Sequence, residues 1–102
     1  MSQEEIITKV KKAVESDPNK DYIQSISLFG SYLHGDAKED SDVDLLFEPR
    51  KSMGYFKLMS IQNQISDKIG REVDLLTKEE LSKYFRDKVV NEAKKIYQYE
   101  HA

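Results

Sequence analysis

The chain has 102 residues, of which 34% are charged and 38% hydrophobic; its formal net charge is −3 and it has no cysteine. That length supports one domain with one core, and the composition excludes wholesale disorder. The acidic balance argues against a nucleic-acid binder, and the absent thiols exclude disulfide and thiolate chemistry. The N-terminus "MSQEEIITKV" is acidic where a signal peptide would be basic, and no apolar run reaches the length of a membrane span. The expectation is a cytoplasmic protein folded as a single domain over 1–102. The lysine clusters Lys9, Lys11, Lys12 and Lys94, Lys95 read as solvated faces rather than as a binding patch.

In chain order, Ser2 and Glu5 have capping-box spacing, and Ile6, Ile7, Val10, Ala13 and Val14 recur at helical intervals. They predict a first helix over about residues 3–16, ended by the turn that contains Pro18. "YIQSISLF" (22–29) alternates and reads as a strand, with Gly30 at its end. "SYLHGDA" allows a short helix before Gly35, and "KEDS" is a polar turn. "DVDLLFE" (42–48) is a second strand closed by Pro49. Leu58, Ile61, Ile65 and Ile69 mark a helix with Gly70 at its C-terminal end. "EVDLLT" (72–77) is a third strand. Thr77 and Glu80 repeat the capping-box spacing, and Leu81, Phe85, Val89, Ala93 and Ile96 predict one long amphipathic helix to about Tyr97. The whole is an α/β (α+β) fold, with a small mixed β-sheet flanked by about four helices.

Two of the predicted strands carry acids among apolar residues. Side chains alternate along a strand, so Asp42 and Asp44 face the same way, with Cα atoms roughly 6.5–7 Å apart. Asp74, between Val73 and Leu75, also faces opposite its apolar neighbours. If the second and third strands pair in register, three carboxylates meet on one face. Carboxylates that close repel, so one must take up a proton, turn to water, or share a hard divalent cation such as Mg²⁺. The plainer alternative is the wet face of an edge strand. Gly30 and Ser31 likewise have two readings: a phosphate-binding turn at a helix start, or a tight turn capped by serine.

Together, Gly30-Ser31, ten intervening residues, then Asp42-x-Asp44 resemble the signature of the DNA polymerase beta-like nucleotidyltransferase superfamily. The longer run "GSYLHGDAKEDSDVDLL" resembles its minimal nucleotidyltransferase (MNT) subfamily, whose members commonly read Gly-Ser-x-Ala-Arg-Gly and then Ser-Asp-x-Asp-Leu. The third acid, Asp74, also fits that pattern. The likeness spans nearly the whole chain. It departs at Leu33-His34, where Ala-Arg is common; a histidine lacks arginine's permanent charge.

The resemblance implies the superfamily's fold and a division of labour. Gly30 and Ser31 would bind nucleotide phosphates, with His34 beside them. Asp42 and Asp44 would coordinate two Mg²⁺ ions. Asp74 would bind one of them and help activate an acceptor hydroxyl, which attacks the α-phosphate of a nucleoside triphosphate, most simply ATP. Minimal nucleotidyltransferases often pair with a HEPN protein, a helical ribonuclease toxin, as its antitoxin, and some attach AMP to a tyrosine of that toxin. A core this small leaves little surface for a deep acceptor pocket, so the acceptor is expected on a second chain. Two alternatives stay open: an antitoxin acting by contact alone, and transfer to a small molecule. Tyr97 and Tyr99, near the end of the last predicted helix, are interface candidates. No membrane or nucleic-acid partner is expected, and self-association is left open.

Overall fold

The computed structural model describes residues 1–100; His101 and Ala102, the last two residues of the "IYQYEHA" run, lie outside the described residues. The elements in chain order are α1 (Gln3–Glu15), β1 (Ile23–Phe29), α2 (Ser31–His34), β2 (Val43–Pro49), α3 (Tyr55–Ile69), β3 (Val73–Leu76), α4 (Arg86–Glu92) and β4 (Lys94–Gln98). Two 3₁₀ turns, Lys20–Tyr22 and Lys78–Glu80, precede β1 and follow β3.

The helices α1, α2 and α3 form where the pattern predicts them, with the expected ends. Ser2 caps α1 by accepting the Glu5 amide at 3.2 Å. Gly70 ends α3 in the left-handed region (φ 72°), and its amide donates to the Ser66 carbonyl. Thr77 and Glu80 do form a capping box, but it closes a single 3₁₀ turn.

The sheet order is β3-β2-β1-β4. β1 pairs antiparallel with β2 and with β4, whereas β2 pairs parallel with β3. A parallel pair needs a crossover, and α3 supplies it. On the inner face, Ile26, Leu28, Val43, Leu45, Val73 and Leu75 pack with Ile6 and Val10 of α1 and Ile61 and Ile65 of α3. Each such side chain contributes roughly 1.5–3 kcal/mol on burial. The alternate residues Ser27, Asp44, Leu46 and Asp74 therefore face outward. No helix among the described residues is long and apolar enough to cross a membrane.

The C-terminal quarter departs from expectation. The predicted long helix exists only as the seven residues of α4, and the chain turns extended at Ala93 (ψ 136°) to become β4. Ile96 is buried as a strand residue, whereas Phe85, of the same helical stripe, is 62% exposed. The reason is tertiary. Without β4, the second edge of β1 would carry unpaired amides and carbonyls against the core. Residues 94–98 satisfy that edge, and the Tyr99 amide extends the ladder to the Gln24 carbonyl at 2.8 Å. Tyr97 and Tyr99 thus lie on and just beyond a strand. Tyr97 packs against the core, and the Arg50 guanidinium lies 3.6 Å from the centre of the Tyr99 ring. Ile96→Ala should therefore cost about 2–5 kcal/mol in urea unfolding, whereas Phe85→Ala should stay within about 0.5 kcal/mol of the parent.

Candidate active site

The parallel register of β2 and β3 sets Asp44 directly opposite Asp74, with Val43 opposite Val73 and Leu45 opposite Leu75. Two adjacent strands thus bring these acids together on the outer face. Asp42 stands one residue before β2, exposed and on the same side as Asp44. Burial raises the Asp44 pKa above the ordinary carboxylate value, and the charges of Asp74 and Asp42 raise it further. Both neighbouring acids are therefore close enough to act on Asp44 electrostatically.

Gly30 brings the turn to the same place. It lies between β1 and α2 with φ 76° and ψ −152°, a conformation open to glycine and almost no other residue. A Cβ added there would fall on Oδ2 of Asp44 and 2.9 Å from its Cγ. The backbone at residue 30 therefore lies directly against the central carboxylate, and Ser31 opens α2 beside it. Buried Tyr32 roots α2 in the core. Gln3 of α1 ties it down further, its Nε2 donating to the carbonyls of Tyr32 and Leu33 at 3.1 Å each.

His34 sits at the far end of α2 with its side chain half exposed. Its Nε2 lies 3.2 Å from a carboxylate oxygen of Glu92, at the end of α4. The structure thus brings Gly30, Ser31, Asp42, Asp44 and Asp74 to one end of the outer face, while His34 is engaged with α4. As the side chains stand, no three or more His, Asp or Glu residues among the described residues form a ready-made metal cage.

Three supporting residues lay outside the sequence reading. Gln3 and Glu92 hold α2 from opposite ends of the chain, and neither carries a local signal of that role. Gln62 accepts the amide of Leu75 at 3.0 Å, pinning the edge strand β3 next to Asp74. Its signal was present but unremarkable: it is a polar residue four after Leu58, on the flank of the α3 stripe.

The polymerase beta nucleotidyltransferase family model matches residues 8–102. The chain belongs to the polymerase beta nucleotidyltransferase family. Its activity is nucleotidyl transfer. A Methanocaldococcus jannaschii homologue, provisionally named a protein adenylyltransferase, is 35% identical over 88 residues, covering 86% of this chain and 87% of its own length. The protein adenylyltransferase MntA of Thermococcus cleftensis is 33% identical over 89 residues, covering 87% of each chain. Among solved structures, the chain superposes on one chain of a complex of a tri-AMPylated Shewanella oneidensis HEPN toxin with an MNT antitoxin. The TM-score is 0.64 at 19% identity, covering 95% of this chain and 73% of that one, which is a likeness of fold.

Two outcomes follow from this geometry. Gly30→Ala should displace the Asp44 carboxylate and lower transfer activity by at least about 100-fold, the scale of losing a positioned group in such a site. For Asp44 the folded pKa lies above the unfolded value of about 3.8, so the folded state is penalised once the group must ionise. That penalty is complete above the raised pKa and fades as pH falls through it. Asp44→Asn should thus melt at a higher temperature than the parent at pH 7, with the gap closing toward pH 3.8 in a calorimetric pH series.

Proposed function

We propose that residues 1–102 work as one minimal nucleotidyltransferase domain that moves AMP from ATP to a hydroxyl of a partner protein, most simply a HEPN-type toxin for which it is the antitoxin. One observation carries the reading: Asp44 stands in register with Asp74 on one side and against the Gly30 backbone on the other. The names of the curated relatives, protein adenylyltransferases, and the AMPylated toxin in the Shewanella oneidensis complex support the choice of group and acceptor.

The donor set suits a hard cation. It is all carboxylate oxygen, it suffers mutual repulsion that a cation relieves, and Mg²⁺ prefers one or two carboxylates plus substrate phosphates to an all-protein cage. Asp42 and Asp44 would hold two such ions, with Asp74 on one of them. When bound, they supply charge neutralisation at the α-phosphate and at the departing pyrophosphate.

The chain's own residues do the rest. The Gly30 backbone admits the β- and γ-phosphates without a side chain in the way, and the Ser31 hydroxyl donates to them. Asp74, across the strand pair, orients the acceptor hydroxyl and draws its proton. The hydroxyl oxygen bonds to the α-phosphorus as the bond from that phosphorus to the bridging oxygen breaks, and pyrophosphate leaves toward the turn. Positioning and electrostatics account for catalysis here, because no covalent intermediate is needed. His34 contributes through its link to Glu92, a tie between the phosphate-side helix and α4.

Asp42→Asn and Asp74→Asn should each reduce AMP incorporation into the co-expressed toxin by at least about 100-fold, read by intact mass, while the complex still co-purifies. If the Asn variants neutralise the toxin as well as the parent and the toxin gains no AMP with either, the protein works by contact alone. Incorporation into a small hydroxyl compound, with none into the toxin, would assign a small-molecule acceptor instead.

A further inference from the structure

Among the described residues, α4 is the one helix of the four α-helices that buries none of its side chains. It lies over the outer face, where Val90 and Ala93 share a cavity wall with Ser27 of β1 and Leu46 of β2. Just before it, Tyr84 is 86% exposed and Phe85 is 62% exposed. The segment that presents these rings is firmly built. The Arg86 guanidinium donates inward to three carbonyls, those of Lys78 at 2.7 Å, Leu81 at 3.2 Å and Glu79 at 3.3 Å. The Ser82 carbonyl accepts the amides of Phe85 and Arg86 at 2.9 Å each, and the Thr77–Glu80 capping box fixes the turn before them. Two large rings are thus held in water by an ordered backbone. Groups fixed in this way lose little freedom when a partner covers them.

We infer that Tyr84, Phe85 and the exposed side of α4 are the docking surface for the protein that carries the acceptor hydroxyl. The inference rests on the proposed function and adds where that partner sits. Position is the first argument. The segment follows directly from β3, the edge strand that holds Asp74, so a partner seated on it reaches the acids from the acceptor side. At its other end α4 meets the site again, where Glu92 lies 3.2 Å from His34 of α2. Area is the second argument. Two covered aromatic rings supply roughly 150–250 Å² each, around half of the roughly 800 Å² that a specific interface takes from each partner.

Charge defines the partner's chemistry. Between α2 and β2, Asp36, Glu39, Asp40 and Asp42 are exposed with only Lys38 to offset them. Such a loop repels phosphodiester chains and favours cationic side chains. Lys83, Asp87 and Lys88 flank the rings in sequence with charges of both signs, so the rings select by shape and apolar area. The partner is therefore a folded protein with an apolar recess for two rings and basic side chains near the hydroxyl it offers. A second exposed aromatic pair, Tyr55 and Phe56, packs edge to face at the start of α3. It follows the far end of β2, which lies five residues and roughly 16 Å along the strand from Asp44, and it serves as a control.

Calorimetric titration of the purified HEPN-type toxin into the chain, beside titration with ATP and Mg²⁺, tests this. The double variant Tyr84→Ala with Phe85→Ala should weaken toxin binding by about tenfold or more, while ATP affinity stays within about twofold of the parent. Phe56→Ala should leave both affinities within about twofold. All three rings are exposed, so the variants should keep the parent's melting temperature. Undiminished toxin binding in the double variant, an equal loss in Phe56→Ala, or a matching loss of ATP affinity overturns the inference. So does a parent that light scattering finds dimeric and a double variant that it finds monomeric, which would give the surface to a second copy of the chain. A parent that binds ATP but no toxin fails the acceptor named in the proposed function, and this inference with it. Toxin binding that survives the double variant fails the inference alone.

Discussion

Like charges on neighbouring strands repel, and the whole outer face depends on overcoming that repulsion at Asp44 and Asp74. For a pair about 4 Å apart the cost is about 1 kcal/mol in water and about 4 kcal/mol at the effective dielectric of a protein surface. The opposing force comes from the other side of the same two strands. Val43, Leu45, Val73 and Leu75 are all buried there, at roughly 1.5–3 kcal/mol each. Burial exceeds repulsion under either dielectric, so the register holds and the acids stay face to face. A one-residue slip would turn the acids into the core and the valines into water, which is why alternation specifies the register so firmly. The Val43 amide, bonded to the Glu72 carbonyl at 2.9 Å, and Gln62 at the outer edge of β3 complete the restraint.

The same logic governs the turn at Gly30. A carboxylate already raised in pKa by burial and by two like neighbours now has a backbone segment laid against it, and only a residue without Cβ fits. That closeness persists because α2 is anchored elsewhere, by Tyr32 in the core and by Gln3 at its C-terminal carbonyls. Strain and repulsion are thus localised at one end of the outer face, while the residues that sustain them lie in the core and in α1. Such a division is what a site needs if like charge is to be concentrated at one place.

Most of this was legible in the sequence because the signals were local or periodic. The period of two in "DVDLL" and "EVDLL" places Asp44 and Asp74 on the outer face, and the parallel pairing of those strands follows from the helix between them. The failure at residues 81–97 has a different origin. Leu81, Phe85, Val89, Ala93 and Ile96 share a helical stripe, but a stripe only predicts a helix if there is a surface to bury it against. α1 and α3 already fill the inner face, and the outer face carries charge. What remained unmet was the open edge of β1, a demand set by residues some seventy positions away and invisible in any window around Ile96. Gln3, Gln62 and Glu92 were missed for a related reason. Each acts across the fold on a backbone group or side chain that no nearby sequence announces.

The two departures, a short α4 and an added β4, follow from the same constraint that makes the site. A long amphipathic helix laid over the outer face would bury Asp44 and Asp74 and add their desolvation to their repulsion. The sheet is instead covered on one side and left partly open on the other, as sheets with antiparallel strands allow. α4 accordingly buries none of its residues, and Tyr84 and Phe85 just before it remain exposed. Closing the edge of β1 with residues 94–98 satisfies the backbone at no cost to the acids, because β4 joins two strands away from Asp44. The open face and the short helix are therefore two consequences of one requirement, that charge on the outer side of β2 and β3 remain within reach of solvent and of whatever binds there.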